Sequence, residues 1–281
     1  MRIRKLPIRI LICFAAAIIV GGILTELQER NAADYPAGKP ADLTELQFPL
    51  QQEDYALVTA ETGLMPLLID EIIAKEQQPL GVLTQYQQYF RQQPKFTCNG
   101  IAEISSAERI RGRENYYPFY DLRPGDVLLT KSTHTLFYRH GHSGLIIDED
   151  TLLEAAEIGM SASHCDPAAW GGYPTVMQLR IKEEVAAKCG MTGAELGKAV
   201  AAYAEQELLG DDYSLLCGCG NIGFKTDQTQ CAYLIWEAFR HFGIDASARK
   251  FPVTPKSLWA SGVFDIICYR GFSSETTTLS Q

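Results

Sequence analysis

The chain has no cluster of lysine and arginine beyond its first nine residues, and its net charge is −9. A phosphate backbone requires clustered positive charge, so nucleic acid is not expected as a partner. No two cysteines carry the two-residue spacer of zinc-binding pairs. The one close pair, Cys217 and Cys219, has a single glycine between its members, and adding His134 or His140 does not complete a metal site. No metal and no cofactor is therefore expected. Internal repeats are absent, and the only low-complexity stretch is a polar Ser/Thr tail over 273–281. Long apolar runs are scarce as well: there is one, at the N-terminus.

Arg2, Arg4, Lys5 and Arg9 lead into that run, and Ile10 to Leu24 then contains no charged side chain. This is the pattern of a membrane-targeting segment over 1–25, either a signal anchor or a cleaved signal peptide. The run is short against the roughly 20 apolar residues of a comfortable span. Positive charges before it, with Glu26, Glu29 and Asp34 after it, put the N-terminus in the cytoplasm and the rest outside. Residues 26–50, rich in Ala, Pro, Gly and Asp, read as a flexible stalk. The expected location is extracytoplasmic, by anchoring or by secretion.

The remainder of the 281-residue chain is long enough for one domain, and 46% apolar residues suffice for a packed core. From Glu53 to Gln93, Leu64, Leu67, Leu68, Ile72 and Ile73, then Leu83, Tyr86 and Phe90, recur at helical spacing. Two helices are expected there, in a preface over 51–100 that braces the core or covers a site. Arg123-Pro-Gly-Asp126 makes a turn, and short apolar strands are expected over 127–129, 144–147 and 152–156. Helices are expected over 193–208 and 231–242, a short one from Thr254, and a closing strand over 263–269. The fold class is α+β, with the main domain over 101–272.

Chemistry concentrates where a polar stretch, Asp227 to Gln230, runs into the amphipathic helix that begins at Cys231. Unpaired N–H groups and the positive end of the helix dipole favour a thiolate there and can bind an oxyanion. A thiolate nucleophile needs an imidazole to move its proton and a third group to hold that ring. Of His134, His140, His142, His164 and His241, His142 is flanked by glycines at the start of an apolar strand, where its ring can emerge at a cleft. His241 lies ten residues along the Cys231 helix, about 15 Å at ~1.5 Å per residue, too far for a direct bond. Glu154, an acid among apolar neighbours, needs a partner if buried, and Glu157 competes with it for the role of orienting His142.

Four blocks in order, Leu122-Arg-Pro-Gly-Asp-Val-Leu-Leu-Thr130, Gly141-His-Ser-Gly-Leu145, Leu153-Glu-Ala155 and Gln230-Cys-Ala-Tyr-Leu-Ile-Trp236, resemble the circularly permuted NlpC-type papain-like cysteine hydrolases, in particular their YiiX-like branch. Asp212-Tyr213 and Val253-Thr-Pro255 add to the likeness, which spans 121–269. As in that branch, and in the similar lecithin retinol acyltransferases, histidine precedes cysteine. The resemblance implies a permuted papain-like fold, a small antiparallel barrel or sheet packed on the nucleophile helix. It also implies Cys231 as nucleophile, His142 as base and Glu154 as orienting residue.

Tyr213, Gln230 and His140 are the candidates for touching substrate. The implied activity is that of a thiol-dependent amidase or peptidase acting outside the membrane, with cell-wall peptide (peptidoglycan) as substrate. The alternatives are a cysteine acyltransferase or lipid esterase, and a non-catalytic binding module on the same fold. The Cys217-Gly-Cys219 segment departs from the family pattern. Eight cysteines, seven of them beyond the apolar run, leave one thiol over in an oxidising compartment. Cys217 and Cys219 read as disulfide halves, with Cys98, Cys165, Cys189 and Cys268 as possible partners, which leaves Cys231 free.

Overall fold

The structure, a computed structural model, describes residues 8–28, 33–98, 105–135, 138–215, 217, 227–249 and 251–272. In chain order its elements are α1 (Ile8–Gln28), α2 (Gln52–Thr62), α3 (Pro66–Lys75), α4 (Pro79–Arg91), β1 (Phe96–Cys98), β2 (Ser105–Ile110), β3 (Val127–Thr130), β4 (Thr133–Thr135), β5 (Tyr138–Arg139), β6 (His142–Asp148), β7 (Thr151–Glu154) and β8 (Ser163–Cys165). There follow β9 (Val176–Ile181), α5 (Glu183–Lys188), α6 (Gly193–Glu207), β10 (Asp212–Tyr213), β11 (Gln228–Thr229), α7 (Cys231–His241), α8 (Pro255–Trp259) and β12 (Phe264–Arg270).

The centre is a six-stranded antiparallel sheet in the order β12-β9-β3-β6-β7-β8. Successive side chains on a strand point to opposite faces, and the sheet uses both. Val127, Leu129, Leu145 and Leu153 enter one apolar cluster with Leu234, Ile235, Ala238 and Phe239 of α7 and with Leu196, Val200 and Ala204 of α6. Leu128, Ile146 and Leu152 enter the other, with Leu64, Leu68, Ile69, Ile72, Leu83 and Tyr86 of the preface. Burying each of Leu234, Ile235 and Phe239 is worth about 1.5–3 kcal/mol, enough to hold α7 against β6. A four-stranded antiparallel sheet, β1-β2-β4-β5, and a parallel pair, β10-β11, complete the α+β architecture.

The preface differs from the two helices expected. Gly63 stops α2 in the left-handed region (φ 69°), where a Cβ would lie 2.1 Å from the Tyr269 carbonyl oxygen, so only glycine fits. Pro66 and Pro79 then open α3 and α4 at positions where a missing N–H costs nothing. These three helices form the second layer on the sheet. The segment 33–50, expected to be a flexible stalk, is also docked. Tyr35 donates to the Pro174 carbonyl at 2.7 Å, the Asp34 N–H donates to Gly271, and Leu43 and Leu50 are buried in the preface cluster. Among the described residues no helix is long and apolar enough to cross a membrane. The tail 273–281 and Cys219 lie outside the described residues.

The Pro-Gly-Asp turn is a structural lock. Asp126 is buried and accepts two bonds from Arg180, at 2.9 and 2.8 Å, and one from Gln178 at 2.7 Å, tying the start of β3 to β9. Asp126→Ala leaves the Arg180 guanidinium without its closest countercharge in a largely buried site. It is expected to cost roughly 3–5 kcal/mol, read as a large fall in the thermal midpoint.

Candidate active site

Cys231 is the first residue of α7. The preceding residue, Gln230, caps the helix: its Oε1 accepts from the Ala232 N–H at 3.0 Å and lies 3.5 Å from the Cys231 sulfur. The Gln230 Nε2 donates to the Val253 carbonyl at 2.9 Å. Gln230, expected to touch substrate, thus serves the scaffold, because an N-cap must satisfy the orphan donors of the first turn.

β6 packs against α7 and brings His142 to the thiol. The imidazole Nε2 meets Glu154 Oε2 at 2.8 Å, which leaves Nδ1 free to serve the thiol, and Cys231 lies near enough to shift the ring's titration. Burial disfavours the imidazolium, yet the bonds to Cys231 and Glu154 outweigh it and push the His142 pKa up to about 10. The reciprocal effect acts on sulfur. Burial raises the Cys231 pKa, while the bond to His142, its positive charge and contacts with Ser143 lower it further than burial lifts it. Both shifts favour the charged, thiolate–imidazolium form of the Cys231–His142 pair. Cys231 is only 5% exposed, so the charge is sequestered from bulk water.

Glu154 closes β7 and is held by several donors. Besides His142, the Trp170 Nε1–H donates to the same oxygen at 3.2 Å, and the Cys165 thiol touches the carboxylate. Burial raises the Glu154 pKa, but the His142 bond and charge, then Cys165 and Arg109, hold it below its ordinary range. Cys165 itself is pushed up to about 12 by burial and by Glu154, so it remains a neutral donor. The indole of Trp170 lies flat on the His142 ring, 5.1 Å between centroids and 20° between planes, and fixes the imidazole orientation. Arg109 is anchored beside this group by Tyr173, whose ring it covers at 3.6 Å, and by the Ala169 carbonyl.

The structure thus brings Cys231, His142 and Glu154 together. Glu157 lies beyond the end of β7 in an exposed loop, away from the ring it competed for. Tyr213 is close enough to Cys231 for the thiolate, after burial, to raise its pKa, so its hydroxyl stays protonated. His140 turns its Nδ1 onto the Gly141 carbonyl, and burial lowers its pKa. Elsewhere His241 stacks on Tyr203, His164 pairs with Glu205 at 2.7 Å, and His134 lies 3.5 Å from Glu108. Among the described residues no group of three His, Cys, Asp or Glu is placed to hold a metal.

The expected disulfides find no bond at three of their named partners. Cys165, Cys189 and Cys268 are free thiols, occupied respectively by Glu154, the Phe242 carbonyl and Gln178. Cys217 is buried and donates to the Gln228 carbonyl at 3.1 Å. Four contributors to the site were not foreseen: Ser143, Trp170, Cys165 and Arg109. Ser143 adjoins His142 in its own motif, and Trp170 is one of only three tryptophans. Arg109 and Cys165 carried no signal. No family model, no curated protein and no solved structure matches the chain.

Proposed function

We propose that this chain is a cysteine-dependent hydrolase, an amidase or peptidase on a permuted papain-like arrangement, with Cys231 as nucleophile, His142 as general acid and base, and Glu154 as the residue that orients His142. The observation that carries the reading is the continuous chain Glu154–His142–Cys231 ending at a helix N-terminus, with both members of the thiol–imidazole pair shifted toward their charged forms.

The Cys231 thiolate attacks the substrate carbonyl carbon, and the oxyanion forms beside the Cys231 N–H, at the positive end of α7. The intermediate collapses with cleavage of the C–N bond. His142 gives its Nδ1 proton to the leaving amine, and a thioester remains on the sulfur. Neutral His142 then takes a proton from water, hydroxide adds to the thioester, and the acid leaves as the thiolate and imidazolium re-form. The basic N-terminal segment before the apolar run supports action outside the cytoplasmic membrane, with cell-wall peptide as substrate class.

A second reading, transfer or hydrolysis of a fatty acyl ester, is favoured by one observation. Ile158, Met160, Leu215 and Phe251 are each 47–51% exposed. Met160 accepts from the Tyr213 N–H, Leu215 is two residues past Tyr213, and Phe251 is two residues before the carbonyl that anchors Gln230. Apolar side chains therefore flank the nucleophile end of the molecule.

Intact-mass analysis during turnover of peptide amides and of acyl esters tests both readings. An acyl adduct on Cys231 from amides, absent in Cys231→Ala together with all product, supports hydrolysis of C–N bonds. An adduct from long-chain esters alone selects the second reading. Product from Cys231→Ala at the wild-type rate overturns both.

A further inference from the structure

We infer that Arg109 is a positioning residue for the proposed reaction: its guanidinium brackets the turn that carries Trp170, and Trp170 in turn holds Glu154 and His142 against one another. The inference rests on the reading of Cys231, His142 and Glu154 as the catalytic set.

Trp170 touches two of those three residues. Its Nε1–H donates to Glu154 Oε2 at 3.2 Å, the same oxygen that meets His142 Nε2 at 2.8 Å, and its ring lies on the imidazole at 5.1 Å between centroids. A rotation of the indole therefore disturbs His142 twice, through the stacked face and through the shared carboxylate oxygen. Where the imidazole sits depends on where the Pro167–Gly172 turn sets the Trp170 backbone.

Arg109 grips that turn from another sheet. On β2, Glu108 pairs with Arg139 at 2.7 and 3.1 Å, and alternation sends the neighbouring Arg109 to the opposite face. There its Nη1 donates to the Ala169 carbonyl at 3.0 Å and its Nη2 to the Tyr173 hydroxyl at 2.8 Å. Ala169 immediately precedes Trp170 and Tyr173 follows the turn, so one planar group holds the chain on both sides of the indole. The guanidinium also lies 3.6 Å from the centre of the Tyr173 ring, and that ring meets Trp170 edge-on at 5.3 Å.

Arg109 differs from the other partly or fully buried arginines in its partners. Arg91 pairs with Glu61, Arg139 with Glu108 and Arg180 with Asp126, whereas among the described residues no acid forms an ion pair with Arg109. Its contacts are a carbonyl, a hydroxyl and a ring, all on the segment that flanks Trp170. A rigid fork can hold two such acceptors at once, which a single ammonium cannot do.

The test compares the full chain with Arg109→Met, Arg109→Lys, Trp170→Leu, the double variant Arg109→Met/Trp170→Leu, and Cys231→Ala. It measures kcat and KM for p-nitrophenyl acetate at neutral pH, with circular dichroism and thermal unfolding as checks on the fold. If Arg109 acts through Trp170, Arg109→Met lowers kcat about tenfold and leaves KM within about twofold, because a misplaced imidazole slows the reaction without altering substrate contacts. Arg109→Lys, which keeps the charge but not the fork, shows most of the same loss. The double variant is no slower than Trp170→Leu alone, since no indole remains to be held.

A wild-type kcat in Arg109→Met overturns the inference, and so does a raised KM at unchanged kcat, which places Arg109 on the substrate. Full activity in Arg109→Lys assigns the effect to charge, and losses that multiply in the double variant give Arg109 an action independent of Trp170; each contradicts the bracket. If Arg109→Met does not fold, Arg109→Lys decides alone, by a reduced kcat at unchanged KM or by wild-type kinetics. Turnover by Cys231→Ala at the wild-type rate is a different failure, which removes the nucleophile reading and the inference with it. Cys231-dependent turnover that is indifferent to Arg109 removes the inference alone.

Discussion

Replacing His142 with alanine is expected to slow turnover of any amide or ester by ~10³-fold or more, since it removes both the proton carrier and the principal partner of the thiolate. The two losses can be separated. In the wild type the imidazolium bond and charge lower the Cys231 pKa against the opposing effect of burial. Without the ring, burial dominates, and the thiol titrates above its ordinary value. The midpoint then rises, and alkylation of Cys231 at pH 7 slows by about tenfold for each pH unit of the rise. Turnover falls further still, because the leaving amine has lost its proton donor. Stopped alkylation assays at pH 7 and substrate turnover measured on the same preparations check the two magnitudes independently.

Glu154→Gln is the second large effect, and its signature is a displaced pH profile. The carboxylate accepts from His142 at 2.8 Å and from Trp170 at 3.2 Å, and its charge helps raise the His142 pKa to about 10. The sign follows directly. A raised histidine pKa favours the imidazolium at pH values below about 10, so the basic limb of wild-type turnover is expected near pH 10. Glutamine keeps the side-chain shape and one acceptor oxygen but removes the charge. The His142 pKa then falls, the basic limb moves to lower pH, and turnover at neutral pH drops roughly 10- to 100-fold. A profile that keeps its basic limb, with only a lower amplitude, assigns Glu154 a purely steric place.

The three central residues of the site were legible because each breaks a local pattern. Cys231 stands where a polar stretch becomes an amphipathic helix, His142 sits between glycines before an apolar strand, and Glu154 is an acid ending an apolar one. Trp170 comes from a 3-10 turn over Pro167–Gly172, a conformation that no apolar period marks. Ser143 looks in sequence like any strand serine, yet it is fully buried on β6, the strand against which α7 packs from the far end of the chain.

The fold shows the same division. α6 and α7 carry strong helical periodicity and fall within a residue of expectation. β9 escaped notice because Gln178 and Arg180 interrupt its apolar residues, and they do so to reach Asp126 on the neighbouring strand. The docking of 33–50 depends on Tyr35, Leu43 and Leu50, anchors too widely spaced to form a pattern.

The most direct test is the pH dependence of Cys231 alkylation in the wild-type chain, with each modified thiol identified by mass. The expected result is that Cys231 reacts with a midpoint well below pH 8.5, the value of an ordinary thiol, while the free thiol Cys165, raised to about 12, stays unmodified across the same range. A Cys231 midpoint at or above 8.5, with no preference over Cys165, contradicts the lowering of the Cys231 pKa by His142 and with it the nucleophile reading.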